Sequence, residues 1–192
     1  MLEEEYERRR VLPRHLRPAP EPEPEFAYEI RDAVETDLPH IRGIYNYYVT
    51  NSTVTFDEDE MTLAEWQTKF AYLKKRGYPV LVAESPNGVV LGYALVSPWK
   101  DKSAYRFTVE DSIYLGPAAT GKGLGNVLMK ALLDASKQAG LKQVIAVIAD
   151  KGADASIAMH AKFGFTENGR MGKVGFKFGR WLGVVTMQRS LK

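Results

Sequence analysis

The sequence predicts a mixed α/β fold of the α+β kind, in which hairpin strands and an α/β crossover share one sheet with helices on its faces. Three observations carry this. Two strand-like runs, Val80 to Glu84 and Val89 to Val96, flank the turn signal Pro86-Asn87-Gly88. An alternating run from Phe107 to Leu115 leads into a glycine-rich loop and an amphipathic helix. A short β-branched run, Gln143 to Ala149, follows that helix.

The elements read in order as β-α-α-β-β-β-α-β-α-β-β. Phe26, Tyr28 and Ile30 alternate with Ala27, Glu29 and Arg31, a strand pattern. Thr36 is then placed to cap a helix carrying Leu38, Ile41, Ile44, Tyr45 and Tyr48 on one face. Thr62 and Glu65 have capping-box spacing for a second helix, stopped at Gly77. After the hairpin and the Phe107 strand, Leu124, Leu128, Ala131, Leu132 and Ala135 recur at three and four residues up to Gly140. Ala155 to Phe163 reads as a short helix stopped by Gly164. From Phe165 onward the composition is that of strands interrupted by glycines, with a last strand near Val184 to Arg189.

Residues 26 to 192 read as one domain and residues 1 to 25 as a tail. The tail holds Pro13, Pro18, Pro20, Pro22 and Pro24 among glutamates and arginines. That composition favours an extended chain over a packed one. Formal net charge is only +2, too small to argue for a nucleic-acid partner. No apolar run reaches the ~20 residues that span a bilayer, so no membrane partner is expected. There is no cysteine, which excludes disulfides, thiolate nucleophiles and thiolate-held metal. A cytoplasmic site is expected. His, Asp and Glu show no metal-ligand spacing, so no metal is expected.

The chemistry concentrates between Thr108 and Asn126. In the loop Thr120-Gly121-Lys122-Gly123-Leu124-Gly125, backbone N–H groups can converge on a phosphate at a helix N-terminus. The spacing fits neither a Walker loop nor a complete dinucleotide fingerprint, and such a loop can also simply pack helix on strand. Glu110 shares a strand face with Thr108, Ser112 and Tyr114. A carboxylate on a polar face suits a general base that strips a proton from an amine; a solvated or ion-paired carboxylate is the alternative. His160, on the later short helix, suits either proton transfer or a structural role.

Several segments together resemble the GNAT superfamily of acetyl-CoA-dependent N-acetyltransferases, over about 160 residues from Phe26. The resemblance is closest to its phosphinothricin acetyltransferase and amino-acid N-acyltransferase branch. They are the loop above, Thr55-Phe56-Asp57, Pro98-Trp99-Lys100, and Phe107-Thr108-Val109-Glu110-x-Ser112-x-Tyr114. Two more are Ser156-Ile157-x-x-His160-x-x-Phe163-Gly164-Phe165 and Val174-Gly175-Phe176-Lys177-Phe178-Gly179-Arg180-Trp181. Three positions depart from the pattern. Thr120 stands where Arg or Gln is usual, Ala153 where Asn is usual, and Gly183 where an acid is usual.

The resemblance implies a mostly antiparallel sheet splayed at an acetyl-CoA site. It implies Glu110 as general base and His160 as general acid or thiol contact. Ile113, Tyr114 and Leu115 would offer backbone N–H groups to the reacting oxygen. Thr120, Gly121, Lys122, Gly123, Leu124, Gly125, Asn126 and Ser156 would hold the co-substrate. Phe56, with Asp57 beside it, and Trp99, Lys100, Lys102, Ser103, Ala104 and Tyr105 would meet a small amino-acid-like acceptor, a lysine pairing with its carboxylate. The basic, aromatic segment from Asn168 onward would help close that site and form a homodimer contact. Another amine acceptor (polyamine, peptide or protein) and a non-catalytic acyl-CoA-binding module remain the competing functions.

Overall fold

The computed structural model describes residues 26–192. The tail expected over residues 1–25 lies outside the described residues. Seven strands form one sheet: β1 (Glu29–Asp32), β2 (Val80–Glu84), β3 (Val90–Pro98), β4 (Thr108–Leu115), β5 (Gln143–Ala149), β6 (Thr166–Lys177) and β7 (Arg180–Ser190). Their spatial order is β1-β2-β3-β4-β5-β7-β6. Among the described residues only the β4–β5 pair is parallel; the other five pairings are antiparallel. The parallel pair is the one joined through a helix, as a crossover requires.

Among the described residues four helices cover the sheet: α1 (Leu38–Asn51), α2 (Leu63–Lys75), α3 (Leu124–Gln138) and α4 (Asp154–Lys162). Helix α3 packs on β2, β3 and β4 through the fully buried Leu124, Leu128, Met129 and Leu132. Helices α1 and α2 pack on each other and on β2, β3 and β4. Between them and the sheet lies an aromatic cluster of Tyr45, Tyr48, Trp66, Tyr93 and Tyr114, with ring centroids 5.4–5.8 Å apart. Such edge and offset pairs add to the burial of their large apolar surfaces. Among the described residues no helix is long and apolar enough to cross a membrane.

Local signals mostly resolve as read, with four differences. Helix α1 is entered through Asp37, not Thr36, by way of a 3-10 turn at Glu35–Asp37. The Asp37 carboxylate accepts from the Val34 N–H at 2.9 Å and pairs with Arg31, which also reaches Glu84. The Arg31 guanidinium therefore holds the Asp37 carboxyl below its ordinary pKa. The first strand is shorter than its alternation suggested: Phe26 and Tyr28 pack against the core ahead of it. Strand β3 runs on to Pro98.

The last difference is the length of β6 and β7, which form a long hairpin in spite of their glycines. Gly169 and Gly175 stand at register shifts. The Lys177–Arg180 pair is closed by Phe178-Gly179, both at positive φ, the backbone pattern of a tight two-residue hairpin turn. The predicted capping box of α2 forms as expected: the Glu65 N–H donates to the Thr62 hydroxyl at 3.2 Å and the Glu65 carboxylate accepts from the Thr62 N–H at 2.7 Å.

Candidate active site

Strands β4 and β5 pair only over Thr108–Glu110 against Gln143–Ile145. Beyond Glu110 they part, and a cleft of about 350 Å³ opens between them. One wall is Asp111 to Leu115; the other is Ala146 to Ile148 with the start of α4, including Ala153 and Ser156. The Tyr48 hydroxyl, from α1, donates to the Leu115 carbonyl at 2.7 Å and satisfies a group the splay exposes.

The glycine-rich loop closes one end of this cleft, where Thr120 and Gly125 line it. Gly121 and Gly123 have φ of +74° and +80°, the left-handed region that side chains disfavour. That backbone leaves the N–H groups of Gly121, Lys122, Gly123, Leu124 and Gly125 without a protein acceptor among the described residues. Five free donors at the start of a fifteen-residue helix are a cradle for a phosphate-bearing group. A Cβ on Gly125 would stand 3.3 Å from the Met159 sulfur, so glycine there lets α3 approach α4 closely. Asn126 continues the first turn, its N–H bonded to the Gly123 carbonyl.

The departures from the family pattern have local accounts. The Thr120 hydroxyl donates to the Pro117 carbonyl at 2.9 Å and fastens the turn. Ala153 is the N-cap residue of α4 and supplies no side-chain cap. A Cβ on Gly183 would lie 2.5 Å from Asp150, whose carboxylate accepts from the Gly183 N–H at 3.0 Å. An acid at 183 would collide with the acid that Asp150 already places there.

A second lobe of about 260 Å³ shares Glu110, Ser112 and Tyr114 with the first. Tyr45, Thr55, Phe56, Lys69 and Tyr93 complete much of its wall. A Cβ on Gly175 of β6 would come within 2.5 Å of the Phe56 ring, so the hairpin backbone fits directly against that ring. Lys177 of β6, only 1% exposed, donates through Nζ to the Thr55 carbonyl at 2.8 Å. It ties the hairpin to the loop that carries Phe56.

Electrostatics single out the shared wall. Burial raises the Glu110 pKa, and the Asp111 charge raises it further; the charges of Lys100 and Lys69 act the other way. Tyr114 is pushed up to about 12, mainly by burial, and stays neutral at physiological pH. His160 is buried, with both ring nitrogens engaged. Nδ1 lies 2.7 Å from the Ser156 carbonyl and 3.4 Å from the Ser156 hydroxyl, and Nε2 lies 3.0 Å from Asp111 Oδ2. Burial opposes its charge, but the Asp111 carboxylate and the Ser156 carbonyl outweigh that and raise its pKa. Because both nitrogens face acceptors, the imidazolium is the form that satisfies them.

The structure thus gathers Glu110, Ile113, Tyr114, Leu115, Thr120, Gly125, Ser156 and His160 on the first lobe, and Phe56 and Glu110 on the second. It does not bring the 99–105 loop into either lobe. Lys100, Lys102, Ser103, Ala104 and Tyr105 are exposed, Trp99 is half-buried, and Lys100 Nζ rests 4.7 Å above the Trp99 ring. Sequence reasoning missed Asp111, Lys69, Tyr48 and Lys177. Asp111 stood out only as one acid on an otherwise apolar strand face; Lys69 stood near the apolar stripe of an amphipathic helix. Among the described residues no group of three or more His, Asp or Glu is placed to hold a metal ion.

Comparison with known proteins agrees with this geometry. The family model described as the acetyltransferase (GNAT) family matches residues 41–165. The phosphinothricin N-acetyltransferase of Alcaligenes faecalis is 41% identical over 165 residues, 86% of this chain and 83% of that protein. An L-methionine sulfoximine/L-methionine sulfone acetyltransferase of Pseudomonas paraeruginosa is 43% identical over 162 residues, 84% of this chain and 94% of that one. The solved phosphinothricin acetyltransferase from Sinorhizobium meliloti, in complex with acetyl-CoA, superposes with a TM-score of 0.81 at 44% identity, covering 85% of this chain and 88% of that one. A splayed β4–β5 pair, a glycine cradle and relatives of this kind lead to one assignment: the chain belongs to the acetyltransferase (GNAT) family and is an N-acetyltransferase.

Proposed function

We propose that this protein transfers acetyl from acetyl-CoA to the α-amine of a small amino acid or amino-acid analogue, of the phosphinothricin or methionine sulfone and sulfoximine type. The observation that carries the reading is the pair of lobes meeting at Glu110, Ser112 and Tyr114. Two substrates held on either side of one wall can react directly, and proximity of that kind supplies much of a two-substrate rate gain. A lobe of about 260 Å³ falls below the ~300–1,000 Å³ of drug-sized sites, which supports a small acceptor.

When bound, acetyl-CoA supplies an acetyl thioester and a thiolate leaving group. The free N–H groups of Gly121 to Gly125 would hold its phosphates. The edge of β4 at Ile113, Tyr114 and Leu115, left unpaired where β5 departs, would hold the reacting carbonyl oxygen. Glu110 takes the proton of the acceptor amine, directly or through a water; its raised pKa brings it nearer the amine it must deprotonate. His160 would return a proton to the departing thiolate side through the Ser156 hydroxyl, which lines the first lobe. This requires Nδ1 to turn from the Ser156 carbonyl.

We also propose a homodimer. Met171, Val174, Phe176, Phe178 and Trp181 of the β6–β7 hairpin are each about half exposed, an apolar patch suited to a second copy.

The test of function is a panel of free amino acids, their amides, polyamines and a short peptide, assayed by release of free CoA. A chain without cysteine adds no thiol background to that readout. Turnover confined to amino acids and analogues supports the reading; preference for polyamines or peptides overturns it.

A further inference from the structure

Lys69 is an ammonium that pairs with no anion among the described residues. It projects from α2, whose rotation is fixed by the capping box at Thr62 and Glu65 and by buried Trp66, Phe70 and Leu73. That geometry puts Lys69 on the wall of the acceptor lobe. Among the described residues it makes no hydrogen bond and no ion pair; its Nζ lies 5.0 Å above the Trp66 ring. Burial works against its charge, while the charges of Asp57 and Glu110 favour it. Asp57 is itself engaged by the Tyr45 hydroxyl. A sheltered cation without an anion is costly, and among the described residues the lobe around it is lined by a single carboxylate, Glu110. Lys69 and Glu110 face the same space without touching.

One cation and one carboxylate across a small lobe match a zwitterion. An α-amino acid presents an ammonium and a carboxylate on neighbouring carbons. With its amine at Glu110, its carboxylate falls toward Lys69, the one cation among the described residues that lines the lobe. Thr55, Ser112 and Tyr45 line the remaining wall together with Phe56 and the apolar Leu95, Val147 and Val184, a mixture suited to a short side chain with polar and apolar parts.

We propose that Lys69 is the residue that binds the acceptor's carboxylate and so selects free α-amino acids. This rests on the acceptor class proposed above, and it adds a carboxylate contact inside the lobe to the expected Lys100 and Lys102. Lys69 touches substrate but takes no part in the proton transfers.

The experiment compares native protein with Lys69→Met, Lys69→Gln and Lys69→Arg. The acceptors are methionine sulfone and methionine sulfone amide, at saturating acetyl-CoA. Lys69→Met and Lys69→Gln should raise the KM for the free acid ~10- to 100-fold, the scale of a lost hydrogen bond between charged groups. Their kcat should stay within about threefold, and the amide's KM should not move. Lys69→Arg should recover most of the loss. An unchanged thermal shift with acetyl-CoA shows that a variant is folded. A KM that rises equally for acid and amide, or does not rise, overturns the proposal. So does a fall in kcat with a displaced pH profile, which would make Lys69 a modulator of Glu110. If native protein acetylates neither acceptor, the acceptor class itself fails, a result separate from any effect of Lys69.

Discussion

His160 Nε2 and Asp111 Oδ2 stand 3.0 Å apart, both residues under 10% exposed, and so join the start of the splayed strand to the helix across the cleft. Among the described residues the second Asp111 oxygen is buried without a partner, so that His160 is the one side chain there that satisfies this carboxylate. Replacing His160 by Leu should destabilise the fold by about 3–5 kcal/mol, the usual cost of leaving one half of a buried pair. The melting temperature should fall by ~10 °C. The double change Asp111→Leu with His160→Leu should recover most of that loss.

The same pair has a signed pH dependence. The folded-state pKa of His160 is raised. Its contribution to stability is therefore complete below the unfolded value near ~6.5 and is lost as pH rises through the folded value. The stability gap between native protein and Asp111→Leu should be larger at pH 6 than at pH 9, measured by urea unfolding.

Acetyl-CoA at 100 times its dissociation constant should stabilise the native protein by ~2.7 kcal/mol, a shift of about 5–10 °C. Gly123→Asp should abolish the shift. It forces a side chain onto a φ of +80° and adds a negative charge beside the five free N–H groups. Thermal melts with and without millimolar acetyl-CoA decide it.

Lys177→Met removes the donor that holds the Thr55 carbonyl. The loop carrying Phe56 should loosen, raising acceptor KM while leaving the KM for acetyl-CoA unchanged. Steady-state kinetics in each substrate would separate the two.

Much of the fold and of the cleft is legible in the amino-acid sequence. The capping box of α2, the Gly140 stop and the β-branched β5 run are local signals, and local physics decides them. The glycine cradle and the polar parity of Glu110 are local as well. What escapes a reading of the sequence is contact between residues far apart along the chain. Asp111 pairs with His160 across 49 residues and Lys177 reaches Thr55 across 122. Periodicity places a residue on a face; it does not say what stands opposite. The 99–105 lysines show the same limit: they stand near Glu110 along the chain but do not line either lobe. Likewise, Thr36 has the chemistry of a cap, but Asp37 takes the position, its carboxylate held by the Arg31 guanidinium and the Val34 N–H.

Glu110 carries a stability cost. Burial raises its folded-state pKa, so the fold favours the protonated form, and this contribution is lost as pH rises through the raised value. Glu110→Gln should therefore melt no lower than native protein at pH 8, with any advantage fading toward pH 4. Thermal melts across that range test it.

The most direct test of the account is the pH dependence of kcat/KM for Glu110→Gln against native protein, with methionine sulfone as acceptor. Loss of a general base typically costs ~100-fold or more. That deficit should appear at pH 7 and narrow toward pH 10, where free amine no longer needs the carboxylate. Profiles that coincide from pH 6 to 10 would contradict it, and would remove Glu110 from the reaction.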